Sequence, residues 1–384
     1  MKRLKKAMAL LLAGSLVVSV FSGCGGNTSQ SNDKKLGNLK FEKELEIKHA
    51  SQFKVDVYEG GYYYITTAEK DKCLVVPEGG KEPEGLPKDV TVLHGTTDKM
   101  YLQATPAMAF FNAINAIDKL SFVGNANPDY WYIPAASEAM KSGKLVFAGK
   151  YSEPDYELLL KNECKLTIAS TMITHTPEVK DKLEELGIPV FMDLSSREAD
   201  PLGRLEWVKV YGILTGKYNE AESFYNTEAA KVDKLANEKI EEKTVAFFSI
   251  NSAGLAVVRK SKDYVPRMIE IAGGKYIFSN LGDDTDALST VNMSLEEFYQ
   301  QAVNADVIIY NSTIEGEIKS AKDLVDKSEI FKDFKAVKEG NVWCTAQNMY
   351  QATDAMADII VDMRAVISGN EDGIKNLKYI SKLN

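Results

Sequence analysis

Cysteine is scarce in this chain. Cys24, Cys73, Cys164 and Cys344 are the only four among 384 residues. Four are too few for a disulfide scaffold, and no two are spaced as a C-x-x-C zinc or redox pair. Histidine is scarcer still, with His49, His94 and His175 the whole set. A site for free zinc or manganese wants several His and a carboxylate converging, so the count argues against one. Catalytic motifs are missing too: the chain has no G-x-S-x-G, H-E-x-x-H, P-loop or G-x-G-x-x-G. A lipid-anchored hydrolase or chelatase would have to assemble its groups without a motif. Positive charge is in deficit, 46 Lys and Arg against 55 Asp and Glu. Four of those cations (Lys2, Arg3, Lys5 and Lys6) fall in the first 23 residues, which hold no acid, so the remainder has 42 against 55 and a net charge of −13. A body that acidic is a poor partner for nucleic acid.

The opening segment reads as an address. The basic residues precede an apolar run, 7–21, that is short for a bilayer span and is broken by Gly14 and Ser15. It ends in Phe21-Ser22-Gly23-Cys24, which resembles a bacterial lipoprotein box with Phe where Leu is usual. Residues 1–23 are therefore expected to be a signal peptide, and Cys24 to carry the acyl (palmitate-type) anchor. Residues 24–40 are rich in Gly, Asn, Ser and Gln and read as a flexible tether.

At roughly 150 residues per domain the remainder suggests two or three domains. Residues 41–104 alternate as a β-meander, with strands at 53–58, 62–67, 73–76 and 90–93 and a Gly60-Gly61 turn. From 100 the period changes. Strands at 100–104, 145–147, 166–170 and 188–193 alternate with helices at 105–117, 155–161 and 176–187. That alternation predicts βαβ units and a parallel sheet. Residues 202–243 read as helical with a break at Gly216 and a second cap at Asn219. Alternation then resumes, with strands at 245–250, 255–259, 307–310 and 341–344 and helices at 263–272, 294–303 and 353–367. The predicted fold class is α/β: two lobes with parallel-sheet cores joined by a single long helix, plus the N-terminal meander. The expected divisions are an N-lobe at 41–218, an inter-lobe helix at 219–243 and a C-lobe at 244–384.

Three stretches carry a resemblance. They are Gly187-Ile188-Pro189-Val190, Pro201-Leu202-Gly203-Arg204-Leu205-Glu206-Trp207 and Ala272-Gly273-Gly274. With the lipobox and the two-lobed pattern, they resemble the substrate-binding lipoprotein of an ABC importer. The closer match is the group that captures iron siderophores, haem or vitamin B12 (cobalamin). The resemblance covers roughly residues 90–370. It implies a binding protein rather than an enzyme, a permease and its ATPase as partners, and a metal chelate as ligand. The residual alternative is a zinc or manganese binder.

The resemblance also implies that one Glu per lobe docks on permease arginines, at positions matching Glu157 and Glu296. Both follow a capping residue, Asp155 or Ser294, and Glu297 is placed to complete a capping box. Ligand contacts are expected on loops leaving the carboxyl ends of parallel strands. Those loops hold Thr105, the aromatic run Tyr130-Trp131-Tyr132, His175, Arg197 and Tyr350, with Arg259 as a second anion clamp. Arg204 is expected to pair with Glu198 or Glu206. Cys73 and Cys164 adjoin apolar runs and read as buried small hydrophobes. The address predicts that detergent-extracted protein lacks residues 1–23 and carries lipid on Cys24. An intact mass equal to the unmodified 384-residue chain would contradict it.

Overall fold

The structure is a computed structural model and describes residues 34–236, 238–282 and 289–384. The signal peptide, Cys24 and the start of the tether lie outside the described residues. Residues 35–384 form one compact unit. The expected tether is shorter at its far end. Leu36 is buried against Tyr58, Leu74 and Val76, because a leucine beside an open sheet face gains more by packing than by solvation.

The meander is a five-stranded sheet in sequence order, Phe41–Glu44, Phe53–Tyr58, Tyr62–Thr67, Lys72–Val76 and Thr91–His94. Its last pair is parallel, because the 77–90 loop carries the chain back to the starting end.

The N-lobe sheet is wholly parallel. Its order is Val190–Met192, Leu166–Ala169, Met100–Leu102, Leu120–Val123 and Val146–Phe147. Leu166–Ala169 is buried along its whole length, the pattern of a strand covered on both faces. In the C-lobe, Lys243–Ile250 pairs in parallel with Val307–Tyr310, which pairs in parallel with Val342–Thr345. Antiparallel strands flank this core, Ala256–Arg259 and Thr290–Met293 on one side and Ile380–Lys382 on the other. Gly274–Tyr276 is the strand that the Ala272-Gly273-Gly274 resemblance implies, whereas Thr290–Met293 and Ile380–Lys382 are not expected from the sequence, being short and half polar.

The helices follow their caps. Asp155 accepts from the Leu158 N–H and starts Tyr156–Lys161, and Ser294 accepts from the Glu297 N–H and starts Leu295–Ala302. Glu297 does not close the expected box; its carboxylate takes the Gln301 amide at 3.5 Å instead. The helix expected at 105–117 is a 3₁₀ turn, Thr105–Ala107, followed by Met108–Ala113, and Asn115 leaves it at φ +52°. Gly216, at φ +71°, ends Val208–Thr215 as expected. The next helix is Tyr218–Ala236 rather than 219–243, so Asn219 lies in its first turn and is not its cap. Arg364 donates to the Glu238 carbonyl just beyond the helix and turns the chain towards Lys243–Ile250. Tyr218–Ala236 packs on Val208–Thr215 of the N-lobe and on Met356–Ser368 of the C-lobe.

The Pro201–Trp207 stretch clasps the meander to the N-lobe. The Glu206 carboxylate is fully buried and accepts the backbone N–H groups of Lys48, His49 and Ala50 at 2.8–3.0 Å. It also pairs with the buried Lys209 ammonium at 2.7 Å. Glu198, just before this stretch, does the same for the next two residues, accepting from Ser51 and Gln52 and also from the Trp207 indole. A Cβ on Gly203 would stand 2.8 Å from the His49 carbonyl, so only glycine admits this approach. Arg204 therefore pairs with neither carboxylate. Its guanidinium donates to the Glu198 and Ser196 carbonyls and stacks 3.7 Å from the Tyr264 ring centre in the C-lobe. Replacing Glu206→Ala strands a buried ammonium and three backbone donors, so urea unfolding should show a loss of about 3–5 kcal/mol. A loss below about 1 kcal/mol would mean the clasp is not structural.

Candidate ligand cleft

The carboxyl ends of the two parallel cores face one another, and short polar turns leave them. Asn127, Asn251 and Asn311 each bend a backbone loop by accepting from an N–H two residues on, at 3.0–3.2 Å. Asp193, buried at the end of Val190–Met192, accepts from the Ser195 N–H and hydroxyl and from Tyr211. It fixes the turn Ser195–Arg197 at the cleft edge, and burial pushes its carboxyl above the ordinary range.

The lobes meet through Tyr132 and through side chains that the sequence did not single out. Gln351, 2% exposed, accepts from the Tyr132 N–H at 2.9 Å and donates to the Tyr130 carbonyl at 2.8 Å. Thr353 donates to the Pro106 carbonyl at 2.6 Å, and the Tyr132 hydroxyl donates to the Gln347 side chain at 3.1 Å. The turn at Thr105–Ala107 packs on the turn at Gln347–Gln351. Thr105, Tyr130, Trp131 and Tyr350 are thus brought together, two loops from one lobe and one from the other.

The aromatic run forms the wall. Tyr350 meets both Tyr130 and Tyr132, with ring centres 6.2 and 6.1 Å away, the second pair edge to face. Burial, with the Tyr130 hydroxyl beside it, pushes the Tyr350 phenol up to about 12 and keeps it a neutral donor. Trp131 is 5% exposed, stands edge-on behind Tyr130 at 5.4 Å and points its N–H at the Met140 sulfur. It backs the wall rather than lining it. Three large apolar side chains on the strand-end loops remain exposed, Tyr132 (46%), Met172 (45%) and Ile314 (76%). Apolar surface left open at a cleft mouth marks a ligand face.

The arginines are differently placed. Arg197 stands at the cleft edge, but its guanidinium pairs with Glu69 from the meander turn. Arg259 sits back from the edge: Ala256 pairs with Ile250 at the strand end, and Arg259 lies three residues further from it. It pairs with Asp263 at 3.7 Å. His175 is exposed at the end of the turn Thr171–His175, whereas His49 faces Asp200 at 3.6 Å and His94 faces Glu82 at 3.7 Å. No cluster of three metal-ligating side chains occurs among the described residues. Glu157 and Glu296 are both exposed in the first turns of their helices, one in each lobe. Cys73, Cys164 and Cys344 are buried and unpaired with each other, and burial pushes the Cys164 thiol up to about 11.

Beside the seam, Asp354, Asn112, Tyr132 and Tyr379 line a cavity of about 150 Å³. Burial, reinforced by Glu228 and Asp358, raises the Asp354 carboxyl from the ordinary 3.8 to about 6. A carboxyl that binds its proton more tightly when folded favours the fold at acid pH. That contribution is complete below the unfolded value and is lost as pH rises through about 6. Asp354→Asn should therefore match the parent at pH 4 and exceed it at pH 8 by on the order of 2 kcal/mol in urea unfolding. Equal stability at both pH values would show that Asp354 ionises freely.

Comparison with known proteins agrees with this architecture. An uncharacterised lipoprotein of Methanocaldococcus jannaschii is 24% identical over 398 aligned positions, covering 95% of this chain and 93% of its own. The crystal structure of a periplasmic haem-binding protein of Vibrio cholerae superposes with a TM-score of 0.55 at 16% identity, over 68% of this chain and 97% of that one. An ABC-type Fe3+-hydroxamate transport protein of Saccharomonospora viridis gives 0.52 at 15%, over 70% and 93%. A periplasmic binding protein family model matches residues 117–348, more than half of the 384, and takes in parts of both lobes. Two facing α/β lobes, a shared cleft and that match establish that the chain belongs to the periplasmic binding protein family.

Proposed function

We propose that this is an extracytoplasmic solute-binding protein, anchored through Cys24, that captures a metal chelate and delivers it to an ABC permease. An iron siderophore is the leading ligand, with haem or a corrinoid next. The observation that carries the reading is the tyrosine wall, built from both lobes at the ends of their parallel strands. Flat ring faces suit a chelate's organic shell, whereas a bare cation needs several converging ligands. Only His175 of the three histidines lies on a cleft loop, which supports a metal that arrives already chelated.

Trp131 supplies the reporter, since it packs on Tyr130 of the wall, whereas Trp207 lies at the meander clasp and Trp343 within a C-lobe strand. Indole fluorescence should change saturably with at least one ferric siderophore, haem or cobalamin, at a Kd below about 1 μM. Trp131→Phe should abolish most of that change. Response to free zinc or manganese alone would replace this reading with a metal-ion binder.

Glu157 and Glu296 serve delivery in this account. Rim charges steer encounter and fix orientation more than they hold ligand. Glu157→Lys and Glu296→Lys should keep chelate affinity within about twofold while cutting uptake by cells at least about tenfold, because like charges across an interface cost several kcal/mol. A collapse of chelate affinity would place these residues in the pocket. Unchanged uptake would leave them only complementing their helix dipoles.

A further inference from the structure

The cleft is rich in rings and poor in available positive charge. Its strand-end segments are 103–107, 124–133, 148–155, 170–176 and 193–199 in one lobe, and 251–255, 311–320 and 346–355 in the other. Together they contain three cationic side chains, Lys150, Arg197 and Lys319, against eight carboxylates, of which Asp193 and Glu198 are buried and filled by internal donors. Arg197 is the cation rigidly held at the edge, since the Asp193 network fixes its turn. Its charge is already met by Glu69, and both side chains are 41% exposed.

Glu69 comes from outside the lobe. It lies in the turn between the meander strands Tyr62–Thr67 and Lys72–Val76, beside Lys70 in the left-handed region at φ +67°. Asp71 in the same turn accepts from the Met192 N–H at 3.3 Å and from Lys180 at 3.4 Å, which seats the turn on the sheet edge next to Arg197. On the other strand-end segments Glu153 in the same lobe and Glu315 and Glu317 in the facing lobe are exposed, and they outnumber the exposed Lys150 and Lys319. A polyanionic ligand would meet these carboxylates and an arginine already neutralised. A neutral or cationic one meets tyrosine faces, whose negative quadrupoles attract positive charge.

We infer that the cleft selects a chelate without net negative charge, neutral or cationic, and that Glu69 sets this choice by neutralising Arg197. The inference rests on the solute-binding reading and names its ligand class. Discrimination of this kind comes as much from the repulsive carboxylates as from the attractive rings.

The test is a fluorescence titration of the full mature protein with four chelates: a ferric trihydroxamate (neutral or cationic), cobalamin, a ferric tris-catecholate (a trianion) and haem with its two propionates. The trihydroxamate or cobalamin should bind at least about tenfold more tightly than either anionic chelate, a difference of about 1.4 kcal/mol. Glu69→Gln should raise the ratio of tris-catecholate to trihydroxamate affinity at least fivefold, and Arg197→Gln in the same background should reverse that gain. Equal or tighter binding of an anionic chelate by the parent protein overturns the inference and leaves the solute-binding reading standing. So does a ratio unmoved by Glu69→Gln. Binding of none of the four overturns both.

Discussion

Gln351 joins the two lobes with both ends of one side chain. Its carbonyl takes the Tyr132 N–H and its amide reaches the Tyr130 carbonyl, so a buried C-lobe residue sets the loop that carries the N-lobe rings. Tyr350, its neighbour, is thereby placed against both Tyr130 and Tyr132. A buried amide satisfied in this way is costly to break, because parting the lobes leaves polar groups to be resolvated one by one. Thr353 on Pro106 adds a second bond beside it. Elsewhere on the lobe interface, Arg204 lies on Tyr264, and Tyr218–Ala236 packs on helices of both lobes. Contacts at both places join the two lobes.

The meander belongs to the same construction. Two buried carboxylates, Glu198 and Glu206, gather five consecutive backbone N–H groups from Lys48 to Gln52. With that segment fixed, the sheet above it extends a turn to the edge strand Val190–Met192, where Asp71 caps an open N–H and Glu69 meets Arg197. A structural anchor in the N-lobe thus leads, through one sheet, to the charge at the cleft edge.

Much of this was legible in residue order. The alternation of strands and helices gave two α/β lobes, and Asp155, Asp263 and Ser294 cap helices where their side chains required. Gly216 broke the long helical stretch because its left-handed backbone suits glycine. The aromatic run at 130–132 and Tyr350 were visible as strand-end residues. Partners remote in sequence were not visible. Nothing near Arg197 announces Glu69, 128 residues away, and nothing marks Gln351 as the partner of Tyr132, 219 residues away. Arg204 was misread because its neighbours Glu198 and Glu206 are acidic, yet their carboxylates are filled by backbone donors from the meander. Short strands such as Thr290–Met293 carry too few residues for a period to register.

The central claim is that the ligand enters a cleft already formed, between lobes held as one body. The most direct measurement is a spin-label distance between Lys144→Cys in one lobe and Lys322→Cys in the other, with and without a saturating chelate. Both sites are exposed, the native Cys73, Cys164 and Cys344 are buried, and Cys24 carries the acyl anchor in this account, so labelling reports the introduced pair. The account predicts that the mean distance changes by less than about 2 Å on binding. A shift several times larger would mean that the lobes close on the ligand, and would contradict it.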